Sequence, residues 1–207
     1  MKKVFSIIVF FTVLSALAAQ IPGSGYVEGY NERTVVGHQD TSAGPITLAR
    51  MVSGLKNPWA FDFLPSGEIL ITERGGTLLL IDENRSHTLT ELPPIAAGGQ
   101  GGLLDIFVDP GFEINKTVYF TYATSGSGGR GTAVARAQLE GYSLRDVKVI
   151  WEMGRKTGTS HHFGSRIRML PDGTLLISTG DRGDMDRAQD MADAAGKTHR
   201  INTDGTI

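Results

Sequence analysis

The sequence predicts an all-β fold made of repeated antiparallel sheets, and two observations lead to this prediction. The first is composition: the 207 residues include 27 glycines, most of them between short apolar runs, as in strands joined by tight turns. The second is a repeat, in which an apolar strand runs into a turn and a second apolar strand follows. Composition alone fits a sandwich, a barrel or a propeller, so the repeat must distinguish among them.

The repeat occurs three times, and its turns contain Pro65, Pro110 and Pro171. These prolines lie 45 and 61 residues apart. Proline presets φ in such turns, and a glycine supplies positive φ. The predicted strand pairs are 60–64 with 69–72, 106–108 with 118–122, and 167–170 with 174–179. Four consecutive antiparallel strands at this spacing form one blade, so the sequence predicts a β-propeller with about three four-stranded blades.

Further apolar segments supply the other strands of these blades. They are 46–51, 77–81, 87–92, 133–139 and 147–151, and another strand begins after Gly196. Residues 184–195 combine aspartate with alanine and methionine, and we expect a surface loop or a short helix there. The predicted propeller domain therefore covers residues 46–207.

The N-terminus has the three parts of a secretory signal peptide. Lys2-Lys3 forms a positive region, residues 4–14 form an apolar run, and Ala16-Leu17-Ala18 offers a small-residue cleavage site. We therefore predict a signal peptide over 1–19 and a flexible leader over 20–45. An uncleaved anchor is the alternative, although the apolar run is short for a membrane span. The mature chain is expected in a bacterial periplasm, with no membrane span after cleavage.

Charge and cysteine content exclude several classes of function. The formal net charge of -2 gives no basic footprint, so nucleic acid is not an expected partner. Cysteine is absent from the sequence, which excludes disulfides, thiolate metal sites and cysteine nucleophiles. Asp184-Met185-Asp186 lacks the glycine and glutamate of a calcium-binding loop, so we assign no metal ligand there.

Two polar residues are brought together by the predicted hairpin over 167–179. His162 precedes its first strand and Asp181 follows its second, and these two ends of an antiparallel hairpin lie at one edge of the sheet. The two residues are therefore expected to be adjacent, although 19 positions separate them. An imidazole beside a carboxylate is the usual pairing of a general base with the group that orients it. The alternative is structural: His162 caps a strand and Asp181 forms a turn.

Gln100 lies before the first strand of the second predicted blade, within Gly98-Gly99-Gln100-Gly101-Gly102. Inner strands line the axis of a propeller, so Gln100, His162 and Asp181 are expected to converge at one mouth of a central channel. The glycines allow the backbone to approach closely, as a bound planar ligand would require. A plain connecting loop is the alternative interpretation of the glycine run.

Four motifs, in chain order, together form a specific pattern. They are Gly54-Leu55-Lys56-Asn57-Pro58-Trp59, Gly98-Gly99-Gln100-Gly101-Gly102-Leu103-Leu104-Asp105, His161-His162-Phe163-Gly164-Ser165-Arg166 and Gly180-Asp181-Arg182-Gly183. From about Pro45 to its end the chain resembles the soluble pyrroloquinoline-quinone (PQQ)-dependent sugar dehydrogenases, the glucose/sorbosone or aldose sugar dehydrogenase family. The resemblance implies a six-bladed β-propeller that binds PQQ and calcium, oxidises aldose sugars to lactones and passes electrons to an external acceptor.

The resemblance also implies a role for each residue at the predicted mouth. A histidine at the position of His162 takes the proton from the anomeric hydroxyl of the sugar while hydride passes to the quinone, and a carboxylate at the position of Asp181 orients that histidine. We therefore assign His162 and Asp181 to catalysis, and Gln100 and His161 to cofactor contact. No metal ligand is assigned, because the family's calcium ligands lie in later blades.

The chain departs from the family in length. The residues after the leader suffice for about three blades of ~45 residues, against the four to eight that close a ring. We therefore interpret the sequence as the N-terminal half of such an enzyme, with an incomplete site and open propeller edges that favour self-association. Two other functions stay open: a degenerate propeller that binds without redox chemistry, and a metal-dependent lactonase on a six-bladed propeller.

Overall fold

The computed structural model describes residues 25–26, 34–82 and 85–206, and the predicted signal peptide over 1–19 lies outside them. The described residues form fourteen strands and two short helices. In chain order these are β1 (Gly25–Tyr26), β2 (Thr34–Thr41), β3 (Gly44–Arg50), β4 (Pro58–Phe63), β5 (Ile69–Glu73), β6 (Thr77–Asp82), β7 (Arg85–Thr88), β8 (Leu103–Val108), α1 (Phe112–Asn115), β9 (Thr117–Gly126), β10 (Gly129–Glu140), β11 (Ser143–Glu152), β12 (Gly164–Met169), β13 (Leu175–Thr179), α2 (Asp186–Gln189) and β14 (Thr198–Ile201). The predicted all-β class is confirmed.

The sheets follow the chain strand by strand. The first sheet has the order β1-β7-β6-β5-β4, the second β11-β10-β9-β8 and the third β12-β13-β14, while β2 and β3 form a separate pair. The strands of the second and third sheets pair antiparallel throughout. Strands that are consecutive in sequence are therefore neighbours in these sheets, as the repeat predicts.

The chain divides into two compact units. One comprises the described residues up to Leu55 together with residues 81–87, and the other comprises residues 56–80 and 88–207. The second unit contains the second and third sheets together with β4 and β5. Every candidate site residue belongs to this second unit.

Within the first unit, β2 and β3 form a hairpin that the sequence did not predict. The two strands pair antiparallel from Thr34↔Arg50 to Thr41↔Gly44. Residues 34–41 and 44–45 lie in these two strands, within the segment 20–45 for which the sequence predicts a flexible leader. Glycine, serine and threonine mark loops in general, but the β-branched threonines and valines of this segment also suit a strand.

The core of the second unit follows the alternation of side chains along each strand. Ile167 on β12 is completely buried, whereas Arg166 and Arg168 on either side of it are exposed. On β13, Leu175 and Ile177 are buried in the same way. Burial of an aliphatic side chain of this size stabilises the fold by roughly 1.5–3 kcal/mol. The pattern fixes which face of β12 meets the core and leaves its two arginines on the other face.

The turn between β12 and β13 positions the candidate site. Gly173 has a φ of 84°, and its N–H donates to the carbonyl of Leu170 at 2.9 Å, which closes the predicted turn. The strands then pair from Met169↔Leu175 to Gly164↔Thr179. His162 and Asp181 therefore leave the sheet at the same edge.

Among the described residues, no helix has both the length and the apolar content needed to cross a bilayer. Helix α1 follows the turn at Pro110, and its one buried side chain is Phe112. Helix α2 lies in the 184–195 segment, where a surface loop or short helix is predicted. That segment is not purely a surface element, because Arg187 and Ala195 are buried.

Candidate active site

His162 and Asp181 are adjacent, as the hairpin predicts. Nδ1 of His162 lies 2.7 Å from Oδ1 of Asp181. The side chain of His162 is 53% exposed and that of Asp181 is 28% exposed, so the pair opens to solvent. Oδ1 of Asp181 also accepts a hydrogen bond from the backbone N–H of Gly183, at 2.8 Å. The carboxylate is therefore held by its own turn as well as by the imidazole.

The charge on Asp181 decides the direction of the hydrogen bond between the two side chains. The N–H of Gly183, followed by the hydrogen bond with His162, lowers the pKa of Asp181 below its ordinary value. An ionised carboxylate can only accept, so Nδ1 of His162 is the donor, and in a neutral ring Nε2 then carries the lone pair. Such an imidazole can take a proton at Nε2, and Asp181 stabilises the imidazolium that results.

The backbone of His162 adopts an unusual conformation. Its φ is 55°, in the left-handed region that non-glycine residues rarely occupy. Its N–H donates to Oε1 of Gln100 at 2.8 Å, across 62 positions of sequence. Strained backbone of this kind persists where the surroundings enforce it, and it is common at functional sites. Gln100 thus lies beside His162, as predicted, and contacts its backbone.

The glycine run around Gln100 packs against other parts of the chain. A Cβ at Gly99 would lie 2.4 Å from the carbonyl oxygen of Ser160, and one at Gly102 would lie 1.7 Å from that of Arg74. The close backbone approach that the sequence predicts is confirmed. Within the protein, the glycines make room for these neighbouring segments, and the predicted approach of a planar ligand stays a prediction.

His161 lies beside the pair and is anchored through its backbone. Its ring meets that of His162 edge-on, with 4.5 Å between the ring centroids. Its carbonyl accepts a hydrogen bond from Nη1 of Arg182. A Cβ at Gly183 would lie 2.4 Å from Nε2 of His161, and the φ of Gly183 is 75°, so a larger residue there would strain the backbone and displace the ring. The four predicted site residues therefore form one connected cluster, which we call the His162 cluster: Gln100, His161, His162 and Asp181.

A second group of side chains joins β8 to β12 and was not predicted. Nη1 of Arg166 lies 3.0 Å from Oδ1 of Asp105, whose side chain is 1% exposed. The guanidinium of Arg166 also lies over the ring of Trp59, 4.5 Å from its centroid. Oδ2 of Asp105 accepts the backbone N–H of Ile167 at 2.9 Å. One signal in the sequence could have revealed Asp105: it is a lone charge within the apolar run 103–108.

The aspartates of the 184–195 segment serve the fold where they are buried. Asp193 accepts two hydrogen bonds from Arg187, both at 2.8 Å. Among the described residues, no group of three or more histidine, cysteine, aspartate or glutamate side chains is arranged to hold a metal ion.

The fold and the His162 cluster define a class of protein: an all-β protein with an exposed imidazole hydrogen-bonded to a carboxylate. The family model for Glucose / Sorbosone dehydrogenase matches residues 55–207. This match covers all four site residues, and the chain belongs to that family.

Relatives of known sequence agree with this assignment. Aldose sugar dehydrogenase YliI of Escherichia coli (strain K12) is 34% identical over 159 residues, which cover 74% of this chain and 43% of that protein. Uncharacterized protein slr1608 of Synechocystis sp. (strain ATCC 27184 / PCC 6803 / Kazusa) is 39% identical over 182 residues, which cover 78% of this chain and 44% of that protein.

Solved structures show the same similarity. The soluble aldose sugar dehydrogenase of Escherichia coli in its apo-form matches with a TM-score of 0.71 and 34% identity, over 74% of this chain and 46% of that one. The PQQ-bound aldose sugar dehydrogenase of Streptomyces coelicolor matches with a TM-score of 0.65 and 26% identity, over 83% of this chain and 48% of that one. The chain spans about half the length of the relatives that it matches.

Proposed function

We propose that this chain supplies the proton-accepting part of the active site of a PQQ-dependent dehydrogenase that oxidises aldose sugars to lactones. One observation carries the proposal: Nδ1 of His162 lies 2.7 Å from Oδ1 of Asp181, and the imidazole is 53% exposed. Membership of the Glucose / Sorbosone dehydrogenase family supports the substrate class, and a PQQ-bound neighbour supports the cofactor.

In this proposal His162 is the general base and Asp181 orients it. Nε2 of His162 takes the proton from the anomeric hydroxyl of the sugar, and the ionised Asp181 stabilises the imidazolium. Proton transfer of this kind typically contributes 10²–10⁴-fold to the rate. The bound quinone would supply the hydride acceptor. An external electron acceptor then completes the reaction.

The residues of the described site fit an anionic, planar cofactor such as PQQ, which carries carboxylate groups. Gln100 uses its amide oxygen to hold the backbone of His162, which leaves its amide nitrogen as a donor for a ligand. His161 adds a second ring nitrogen next to His162, and the exposed guanidinium of Arg166 adds positive charge. We propose that Gln100 and His161 would contact the cofactor. Calcium would be held by parts of the whole protein other than the described residues.

The larger architecture is part of the same proposal. The three meandering sheets would be blades of a six-bladed propeller, of which this chain supplies about half. The proposal includes export to a bacterial periplasm, which rests on the signal-peptide pattern of the sequence. It also includes self-association of the isolated 207-residue chain, because unpaired sheet edges are templates for pairing with other chains.

Dye-linked oxidation of aldoses tests the proposed function. The protein encoded by the complete reading frame that contains these residues is purified, loaded with PQQ and calcium, and assayed against a panel of aldoses. We expect dye reduction that depends on PQQ and is nearly abolished in a His162→Gln variant. The 207-residue chain alone is expected to show none.

Two controls separate binding from chemistry. Fluorescence titration with PQQ measures cofactor affinity in the wild type and in His162→Gln, and we expect similar affinities. PQQ binding without aldose oxidation would favour a non-catalytic binding module instead. Aldose oxidation that survives the loss of His162 would remove this residue from the mechanism.

A further inference from the structure

Arg182 is buried in an unusual setting next to the His162 cluster. Its side chain is completely buried, and it is the largest fully buried side chain among the described residues. None of the ion pairs among the described residues includes Arg182, although the charge of its neighbour Asp181 favours the protonated guanidinium. Its Nη2 donates to the carbonyl of Thr159 at 2.6 Å and its Nη1 donates to that of His161. Burial of a charge without a counter-ion is costly, so a compensating benefit is expected elsewhere.

The guanidinium remains charged despite its burial. Desolvation, followed by the charges of Arg187 and Arg130, lowers the pKa of Arg182 to about 10, which still leaves it protonated at neutral pH. The ring of Phe163 provides partial compensation, because the guanidinium lies 3.5 Å from its centroid. Carbonyl oxygens and an aromatic face therefore replace the usual carboxylate.

Arg187 is a second buried arginine in the same fold, and it differs from Arg182 in having a carboxylate partner. Its side chain is 2% exposed, and it forms a bidentate pair with Asp193, with both hydrogen bonds at 2.8 Å. It also donates to the carbonyl of Arg155 at 2.9 Å. Arg187 is thus satisfied by a charged partner, as buried arginines usually are. The contrast indicates that the contacts of Arg182 serve something other than stability alone.

Those contacts connect the two segments that carry the base and its partner. Arg182 follows Asp181 directly, and its side chain reaches the carbonyl of His161, directly before His162. In return, Oγ1 of Thr159 donates to the carbonyl of Arg182 at 2.7 Å. The φ of Arg182 is 62°, so its own backbone is also in the left-handed region. One residue therefore links segment 159–162 to the turn 181–183.

We propose that Arg182 is a positioning residue, which holds segment 159–162 against the turn 181–183 and so sets the distance and orientation between His162 and Asp181. The catalytic consequence rests on the proposed function of His162 as the base. The positioning itself does not depend on that function, because it concerns the hydrogen bond between Nδ1 of His162 and Oδ1 of Asp181 in the free protein.

The test compares Arg182→Met with Arg187→Met in the product of the complete reading frame. Both substitutions remove a buried guanidinium, so both are expected to lower the melting temperature. Histidine-selective ¹⁵N NMR of the cofactor-free protein reports the Nδ1–H proton that His162 shares with Asp181. We expect Arg182→Met to broaden or abolish that signal and to lower kcat by about 10- to 100-fold with little change in KM, as misplacement of a catalytic group does. Arg187→Met should keep the signal and most of kcat.

Arg182→Lys decides the outcome if Arg182→Met does not fold. Lysine keeps the charge but cannot place two N–H groups on the carbonyls of Thr159 and His161 in the fixed geometry of a guanidinium. A folded Arg182→Lys variant with a weakened His162 signal supports the proposal. An unchanged signal in either folded Arg182 variant, or equal losses in the Arg187 control, would overturn it. Failure of the proposed function would instead appear as an inactive wild type with an intact NMR signal.

Discussion

The two ends of the β12–β13 hairpin carry the same local motif in two different settings. At the turn end, Oδ1 of Asp172 accepts the backbone N–H of Thr174 at 3.0 Å. At the other end, Oδ1 of Asp181 accepts the backbone N–H of Gly183 at 2.8 Å. In both cases an aspartate caps the N–H two residues ahead, and in both cases hydrogen bonding lowers the pKa of the carboxyl.

The two ends differ in the side chain that pairs with each aspartate from another part of the sequence. Asp172 pairs with the guanidinium of Arg200, and both side chains are about half exposed. Asp181 instead meets Nδ1 of His162 at 2.7 Å. An ion pair with arginine fixes a surface turn and offers no general base, whereas an imidazole held by a carboxylate can accept a proton from a substrate. A turn aspartate with a lowered pKa is therefore not in itself a sign of function, and the imidazole is what distinguishes Asp181.

Loss of the imidazole should give the largest effect. We expect His162→Gln to lower the rate of dye-linked aldose oxidation by about 10²–10⁴-fold, because the general base is removed. Cofactor affinity, measured by fluorescence titration, should change little. A variant that keeps most of its turnover would show that His162 is not the general base, and that the two ends of the hairpin do not differ in catalytic role.

Asp181→Asn should give the next largest effect. Asparagine still accepts the N–H of Gly183, so the turn is kept, but it cannot stabilise the imidazolium and can hold the ring in the wrong tautomer. We expect turnover to fall by roughly 10²-fold or more. The pH–rate profile is the decisive measurement, because a purely structural Asp181 would leave both its shape and its height unchanged.

Asp193 offers the same local motif in a third, buried setting and should govern acid stability. Its Oδ1 accepts the N–H of Ala195 at 2.8 Å, and hydrogen bonding by Arg187, the largest cause, lowers its pKa to about 2. Because this folded pKa lies below the unfolded value of about 3.9, the stabilisation is complete above about pH 4 and is lost as pH falls toward 2. The shift corresponds to about 2 kcal/mol.

Urea denaturation over a pH series checks this prediction. Asp193→Asn should lower the free energy of unfolding at neutral pH and flatten its dependence on pH between about 4 and 2. Wild-type turnover per folded molecule should persist in the variant, since Asp193 does not contact the His162 cluster. A curve that parallels the wild type through this window would contradict the assigned role.

Asp172→Asn should give the smallest effect and serves as the matched control for Asp181→Asn. Asparagine keeps the turn, and exposed ion pairs such as the one with Arg200 contribute little to stability. We expect turnover and the urea midpoint to match the wild type within the scatter of replicates. A loss of turnover similar to that of Asp181→Asn would mean that both substitutions act through the hairpin as a whole.

The sequence by itself determined the hairpin and the pair at its ends. The turn at Pro171-Asp172-Gly173 and the alternation of β12 and β13 fix the register, and register places His162 beside Asp181 although 19 positions separate them. Local turn chemistry and the period of a strand predict that the two residues are adjacent, although the register shifts between Gly164 and Ile167. The strands of the second and third sheets follow for the same reason, since each pairs with its neighbour in sequence.

Tertiary structure decided which segments meet across sheets. The hydrogen bond from His162 to Gln100 spans 62 positions, and the glycines beside Gln100 leave room for the backbone of Ser160 and Arg74. The complete burial of Arg182 could not be predicted from the sequence either, because a charged residue after a turn aspartate is ordinarily exposed. Such contacts depend on how separate sheets pack, and packing between sheets has no periodicity or turn signal along the chain from which it could be predicted.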